Sequence, residues 1–209
     1  MSGTILWDVD TQIDFVEPGG KLYFPGAEDV RPAMARLVEA ARSAGVVHVA
    51  SCDQHELSDP EISADPDYDS TWPPHCLLGT RGAEKIAETK QLDPLPLPLV
   101  PVPPAILRRL LEGRREILIP KKHYDPFTNP NTEVVVDALD PAEILLFGVA
   151  TDICDDAAVR ALLRRGRRIT FVEDASRGVD EAGVEACFAA WRDGGVGFTT
   201  AAAAAVSLG

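Results

Sequence analysis

The chain has 209 residues, 45% of them hydrophobic, and a formal net charge of -13 at pH 7. This length and hydrophobic content are typical of one globular domain with a full-sized core, so we expect a single domain over residues 1–209. Because nucleic acids and anionic membrane surfaces repel an acidic protein, the charge disfavours both as partners.

Two features favour the cytoplasm as the compartment. No apolar run approaches the roughly 18 residues that span a bilayer, and the first residues lack the basic and apolar stretches of a secretory signal. The four cysteines are scattered, so in a reducing compartment we expect free thiols rather than a disulfide framework. They are Cys52, Cys76, Cys154 and Cys187.

Six short apolar segments are predicted strands: residues 4–9, 46–51, 117–120, 144–149, 169–172 and 196–199. Their hydrophobicity is continuous rather than alternating, which is typical of strands buried on both faces of a parallel sheet. Helical spacing of apolar residues predicts helices over residues 30–41, 154–165, 181–191 and 201–205, with Gly45 ending the first. The alternation predicts an α/β fold with a doubly wound sheet.

Two long segments show neither periodicity. Residues 53–81 are rich in Asp, Pro and His, and an irregular loop of that length is often functional. Residues 93–104 are rich in proline, so we expect an extended surface loop or an edge segment of the sheet.

Polar residues with catalytic potential follow four of the predicted strands. They are Asp10 after the first, Asp53 after the second, Lys121 and Lys122 after the third, and Cys154 after the fourth. In such sheets ligands bind beyond the C-terminal ends of the strands, so we expect these groups to meet there. A cysteine near a helix N-terminus favours the thiolate, an aspartate can accept its proton, and a lysine can stabilise the pair. The pattern therefore predicts nucleophilic catalysis by a thiol.

Several segments resemble those of the isochorismatase-like cysteine hydrolases, which include the nicotinamidases. They are the nucleophile segment 148–154 (GVATDIC), the aspartate segment 10–15 (DTQIDF), the lysine segment 121–127 (KKHYDPF) and a later strand end at Asp174. The resemblance covers nearly the whole chain. It favours Asp10 over Asp8, which lacks the glutamine two positions on, and Lys121 over Lys122, because the family's lysine precedes an aromatic residue by six positions.

This resemblance implies a catalytic triad of Cys154, Asp10 and Lys121 on a mostly parallel six-stranded sheet flanked by helices. It also implies a cis peptide bond between Val149 and Ala150. The backbone N–H groups of Ala150 and Cys154 would then form the oxyanion hole.

The irregular segment 53–81 contains residues that could bind a metal ion. On residue types alone, Asp53, His55 and His75 are equally compatible with a divalent cation such as Zn²⁺, Mn²⁺ or Fe²⁺ and with ordinary hydrogen bonding in a loop. Their arrangement resembles the nicotinamidase branch, which implies one divalent metal, with Zn²⁺ as the first choice. Glu61 stands where a third histidine is often found, and a carboxylate can replace it. Rival carboxylates in the same loop are Asp65, Asp67 and Asp69.

Two aromatic residues, Phe15 and Trp72, match the positions that sandwich the substrate ring in nicotinamidases. Core packing is the commoner role of aromatic side chains. Trp72 lies in a polar loop, which favours a role in substrate binding.

The sequence therefore predicts an amidohydrolase that converts nicotinamide to nicotinate and ammonia through a thioester on Cys154. One alternative is another small-amide or ureide hydrolase of the same superfamily. A second is a non-catalytic metal-binding or oligomerising scaffold, although such a scaffold would not need the triad. The Asp53, His55 and His75 set disfavours isochorismate hydrolysis. Members of the family often form dimers or tetramers, so a homo-oligomer is compatible with the sequence.

Overall fold

The computed structural model describes residues 3–68 and 70–209, and its strands form one sheet. The strands are β1 (Thr4–Val9), β2 (His48–Asp53), β3 (Leu95–Pro96), β4 (Glu116–Lys121), β5 (Glu143–Gly148), β6 (Ile169–Val172) and β7 (Gly197–Thr199). The helices are α1 (Ile13–Val16), α2 (Arg31–Ala44), α3 (Pro104–Leu111), α4 (Thr132–Leu139), α5 (Asp156–Arg164), α6 (Glu181–Asp193) and α7 (Ala201–Leu208).

The sheet confirms the predicted doubly wound α/β fold. Its strand order is β3-β4-β2-β1-β5-β6-β7, and all neighbouring strands pair in parallel. The central strand β1 lies between β2 and β5, so the chain winds outward in both directions. None of the helices in the described ranges is both long and apolar enough to cross a membrane.

The sheet has one strand more than the six that were predicted. The additional strand β3 lies in the proline-rich segment 93–104 and pairs with β4 at the edge of the sheet. Two residues, one of them a proline, are too few to show a strand period. The prediction of an edge segment there is nevertheless confirmed.

Helices cover both faces of the sheet. On one face α3, α4, α5 and α6 pack against the strands, and on the other face α2 and α7 do so. The central strands are therefore buried on both sides, which explains their continuous hydrophobicity. Helix α4 was not predicted, because its three consecutive valines favour strands. Packing of Val135 and Val136 into the core outweighs that preference.

The nucleophile helix begins later than predicted. Cys154 lies in a π-helical turn (Thr151–Asp155), and α5 begins only at Asp156. The N–H of Asp155 closes this turn on the carbonyl of Ala150 at 3.1 Å. Asp174 does not lie in the cluster of strand-end residues, since its carboxylate accepts a hydrogen bond from Ala201 N at the start of α7.

Gly45 ends α2 as predicted, in the left-handed conformation with φ 67°. Gly45→Ala is expected to lower the free energy of unfolding by about 1 kcal/mol, because an L-residue is disfavoured in that conformation. The added Cβ meets no atom within 4 Å, so backbone strain accounts for the whole effect. Urea denaturation followed by circular dichroism measures it. Gly3→Ala is the control, since Gly3 is equally open and has no positive φ; equal stability of the two variants would contradict this prediction.

Candidate active site

Lys121 lies at the centre of a buried cluster at the C-terminal edge of the sheet. Its Nζ is 2.8 Å from Asp10 Oδ2, donates a hydrogen bond to Asp53 Oδ1 and approaches Cys154 Sγ at 3.9 Å. None of these four residues is more than 6% exposed. The structure thus brings together the three residues predicted as catalytic, and it adds Asp53 as a second partner of the lysine.

The parallel register explains why these residues meet. Asp53 and Lys121 are the last residues of β2 and β4 and stand opposite each other in the pairing. Asp10 follows β1, which pairs with the other side of β2. Lys122 points elsewhere: its Nζ is 2.7 Å from Asp59 Oδ2, and its side chain is one-third exposed.

The charges of the cluster depend on one another. Burial alone would lower the pKa of Lys121, but the carboxylates of Asp10 and Asp53 hold that pKa well above its ordinary value. Burial raises the pKa of Asp10, an effect that Lys121 offsets only in part and the nearby Asp53 increases. Lys121 is therefore an ammonium group that shares its charge between two carboxyl groups.

The sequence analysis expected conditions that lower the pKa of Cys154 and favour its thiolate, but the structure shifts this pKa in the opposite direction. Burial raises the pKa of this thiol well above its ordinary value, and the attraction of Lys121 is too small to reverse the shift. Carboxylate oxygens of Asp10 and Asp53 lie within 4.8 Å of Sγ, which also favours the neutral thiol. Cys154 Sγ therefore lies beside the Asp10 carboxyl group, which is placed to accept the thiol proton.

The peptide bond between Val149 and Ala150 is cis, as the resemblance implies. Ala150 lines the same cavity as Cys154, and its carbonyl accepts the hydrogen bonds that close the π-helical turn. The oxyanion role of the N–H groups of Ala150 and Cys154 stays a prediction.

Asp53, His55 and His75 form a candidate metal centre beside the triad. Asp53 Oδ2 is 4.0 Å from His55 Nε2 and 3.9 Å from His75 Nε2. The Nδ1 atom of His75 lies 2.8 Å from Pro73 O, and that of His55 lies 3.3 Å from Asp59 Oδ2. Both rings therefore direct their other nitrogen, Nε2, towards Asp53 Oδ2. Buried His55 Nε2 has no hydrogen-bond partner in the described residues. This donor set fits a divalent cation, because metal-binding histidines are commonly oriented through their other nitrogen.

Glu61 lies beside this centre rather than within it. Its carboxyl lines the cavity and is buried, but it falls outside the group whose ligand atoms all lie within 4.8 Å of one another. Burial, and then the charge of Asp53, raise the pKa of Glu61 to about 7. Of the rival carboxylates, Asp65 and Asp67 are exposed, and Asp67 binds N–H groups of its own loop. Asp69 lies outside the described residues.

A cavity of about 270 Å³ opens above Cys154 and the candidate metal centre. Phe15 and Trp72 both line it, and the Phe15 ring is 5.6 Å from the His75 ring. Tyr124 is a lining residue that the sequence interpretation missed; its hydroxyl accepts the indole N–H of Trp72. Its position three residues after Lys121, within the lysine segment, was the signal that could have identified it.

Comparison with protein families matches residues 4–203 to the isochorismatase domain. The chain belongs to the isochorismatase family. Within this family the chain is 43% identical over 76 residues to the nicotinamidase/pyrazinamidase of Mycobacterium tuberculosis (strain ATCC 25618 / H37Rv). That match spans 36% of this chain and only 40% of the mycobacterial protein.

Two solved structures show the extent of the likeness in fold. The pyrazinamidase of Pyrococcus horikoshii, crystallised in complex with zinc, has a TM-score of 0.74 at 22% identity, over 94% of this chain and 98% of that one. The N-carbamoylsarcosine amidase of Thermoplasma acidophilum has a TM-score of 0.73 at 23% identity, over 95% and 96% of the two chains. The isochorismatase-like fold expected from the sequence is therefore confirmed.

Lys121→Met is expected to destabilise this isochorismatase-family chain by roughly 3–5 kcal/mol, because it leaves two buried carboxylates without their cation. Lys122→Met is the matched control and should change stability by less than about 1 kcal/mol, because the ion pair of Lys122 with Asp59 is partly exposed to solvent. Denaturant unfolding with a chelator present measures both, because a bound cation would neutralise Asp53. Equal effects of the two substitutions would contradict the assignment of Lys121 to the cluster.

Proposed function

We propose that the protein is a metal-assisted cysteine amidohydrolase and that nicotinamide is its substrate. The observation that carries the proposal is the contact of Lys121 with Asp10, Asp53 and Cys154 at the floor of one aromatic-lined cavity. The cluster offers a nucleophile, a base and a cation beside a candidate metal centre, which suits acyl transfer from a small amide. The identity to part of the mycobacterial nicotinamidase/pyrazinamidase supports the choice of substrate.

The proposed reaction begins with proton transfer. Asp10 accepts the proton of Cys154 as the sulfur attacks the amide carbonyl carbon, and the N–H groups of Ala150 and Cys154 stabilise the oxyanion. The protonated Asp10 then donates its proton to the departing nitrogen, which leaves as ammonia. Lys121 remains charged throughout and offsets the negative charge that accumulates around it.

The second half of the proposed reaction releases the acid. Asp10, again a carboxylate, deprotonates a water molecule that attacks the thioester. The carbon–sulfur bond breaks, Cys154 regains a proton, and nicotinate leaves. Since Asp10 alternates between base and acid, its raised pKa suits both steps.

Asp53, His55 and His75 would hold the metal, with Zn²⁺ as the first choice, and Glu61 would contribute from outside that group. When bound, the cation supplies a Lewis acid for a substrate nitrogen or for water. Phe15, Trp72 and Tyr124 would flank the substrate ring. A cytoplasmic location and a homo-oligomer remain predictions from the sequence.

Cys154→Ala is expected to abolish ammonia release from nicotinamide while leaving the fold intact, because the thiol is the proposed nucleophile. Cys187→Ala is the matched control; this cysteine lies on α6, away from the cavity, and its loss should leave activity unchanged. A coupled ammonia assay measures both variants across a panel of small amides and ureides. Turnover by Cys154→Ala would rule out the nucleophile, and turnover of another panel member instead of nicotinamide would correct the substrate.

Elemental analysis is expected to find about one divalent metal ion per chain, and a chelator should remove both metal and activity. His55→Ala and His75→Ala should lose the metal, whereas His123→Ala should keep it, because His123 is exposed and outside the group. Glu61→Gln should weaken metal binding less than either histidine variant. Full metal content in His75→Ala would contradict the proposed centre.

A further inference from the structure

A second buried ion pair lies behind the triad, between two residues with no role in the proposed reaction. Lys85 Nζ is 2.9 Å from Asp8 Oδ1, and the two side chains are 8% and 0% exposed. Asp8 also accepts a hydrogen bond from the Thr11 hydroxyl at 2.8 Å, and its Oδ2 is 3.5 Å from Nε2 of buried His48. Burial would raise the pKa of Asp8, but Lys85 and then His48 hold that pKa below its ordinary value.

Ser51 connects this ion pair to Asp10. Lys85 Nζ donates a hydrogen bond to Ser51 O at 3.1 Å, and the same carbonyl accepts the N–H of Asp10 at 3.2 Å. The Ser51 hydroxyl donates to Asp10 Oδ1 at 3.0 Å. Ser51 therefore binds both the backbone and the side chain of Asp10, and Lys85 in turn binds the Ser51 carbonyl.

The backbone of Asp10 needs such support. Asp10 has a φ of 50°, in the left-handed region, which costs an L-residue about 1–2 kcal/mol. A residue in that region keeps its conformation only when its surroundings fix it. The contacts of Asp10 with Ser51 supply part of that constraint, and those of its Oδ2 with Lys121 supply another.

Stability is a weak explanation for the Asp8–Lys85 pair. Removing two charges from water offsets most of their attraction, so apolar residues of similar volume often stabilise a protein as well or better. Among the described residues, neither Asp8 nor Lys85 forms a hydrogen bond or an ion pair with Lys121, Asp53 or Cys154. The distinguishing property of the pair is its contact with the residue that orients Asp10.

We propose that Lys85, oriented by Asp8, is a positioning residue that fixes the Ser51 carbonyl and thereby the direction of the Asp10 carboxylate. Neither Lys85 nor Asp8 touches the reacting atoms. The inference rests on the proposed function, because it takes Asp10 as the base that deprotonates Cys154.

The test compares three variants. Asp8→Asn/Lys85→Met removes the ion pair without leaving one buried charge unpaired. Ser51→Ala removes only the hydroxyl that binds Asp10. Lys90→Met is the matched control, because the Lys90–Glu84 pair is more than half exposed on both sides and lies outside the chain of contacts.

Two measurements are made on each variant with the metal-loaded protein. Ammonia release gives kcat and KM, and mass spectrometry of the Cys154 peptide gives its rate of alkylation by iodoacetamide. We expect the double variant and Ser51→Ala each to lower kcat and the alkylation rate by about tenfold, with KM nearly unchanged, because a misdirected base slows proton transfer. Combining all three substitutions should cause no greater loss than the larger of the two separate effects, since both act through Ser51 on the direction of the same carboxylate.

A wild-type alkylation rate in the double variant or in Ser51→Ala would overturn the proposal. So would losses of kcat that multiply when all three substitutions are combined, or a change in KM without a change in kcat. If the double variant does not fold, Lys85→Arg takes its place in the same measurements and is judged by the same outcomes, because arginine keeps the charge opposite Asp8 but not the compact ammonium group that binds the Ser51 carbonyl. If the wild-type protein releases ammonia from no amide, the proposed function fails. The alkylation rates still decide whether Lys85 positions Asp10.

Discussion

The site depends on a single ammonium group held between two buried carboxyl groups. Lys121 touches Asp10 on one side and Asp53 on the other, and both carboxyls are removed from water. Burying one such group without a partner is costly, and burying two beside each other more so. Because Asp10 lies beside the proposed nucleophile and Asp53 beside the two histidines, Lys121 connects the proposed nucleophile with the candidate metal centre.

The sheet provides the geometry that this contact needs. Adjacent parallel strands end at the same edge, and three neighbouring strands, β1, β2 and β4, deliver Asp10, Asp53 and Lys121 there. The Gln12 side chain fastens the end of β2, since it donates to the carbonyl of Asp53 and accepts the N–H of the same residue. The helices on both faces bury this edge of the sheet, so that Lys121 and its two aspartates are paired with one another rather than with bulk water.

Much of this arrangement could be predicted from the sequence, because it follows from patterns along the chain. Continuous apolar strands predicted the sheet. The segments that follow those strands contain Asp10, Lys121 and Cys154, and the resemblance to the family selected these three as the triad. Contacts between distant segments left no such pattern. The pairing of Lys121 with Asp53 depends on strand register, and the raised pKa of Cys154 depends on depth of burial. The sequence analysis rejected Asp8 as the catalytic aspartate and gave it no other role, because no pattern along the chain indicates its ion pair with Lys85.

The most direct test of the central contact is nuclear magnetic resonance of the protein with ¹⁵N-labelled lysine side chains at neutral pH. The structure predicts a slowly exchanging ammonium signal that disappears in Lys121→Met, persists in Lys122→Met and shifts in both Asp10→Asn and Asp53→Asn. A Lys121 ammonium that exchanges freely with solvent, or that responds to neither aspartate substitution, would contradict the shared contact on which the site is built.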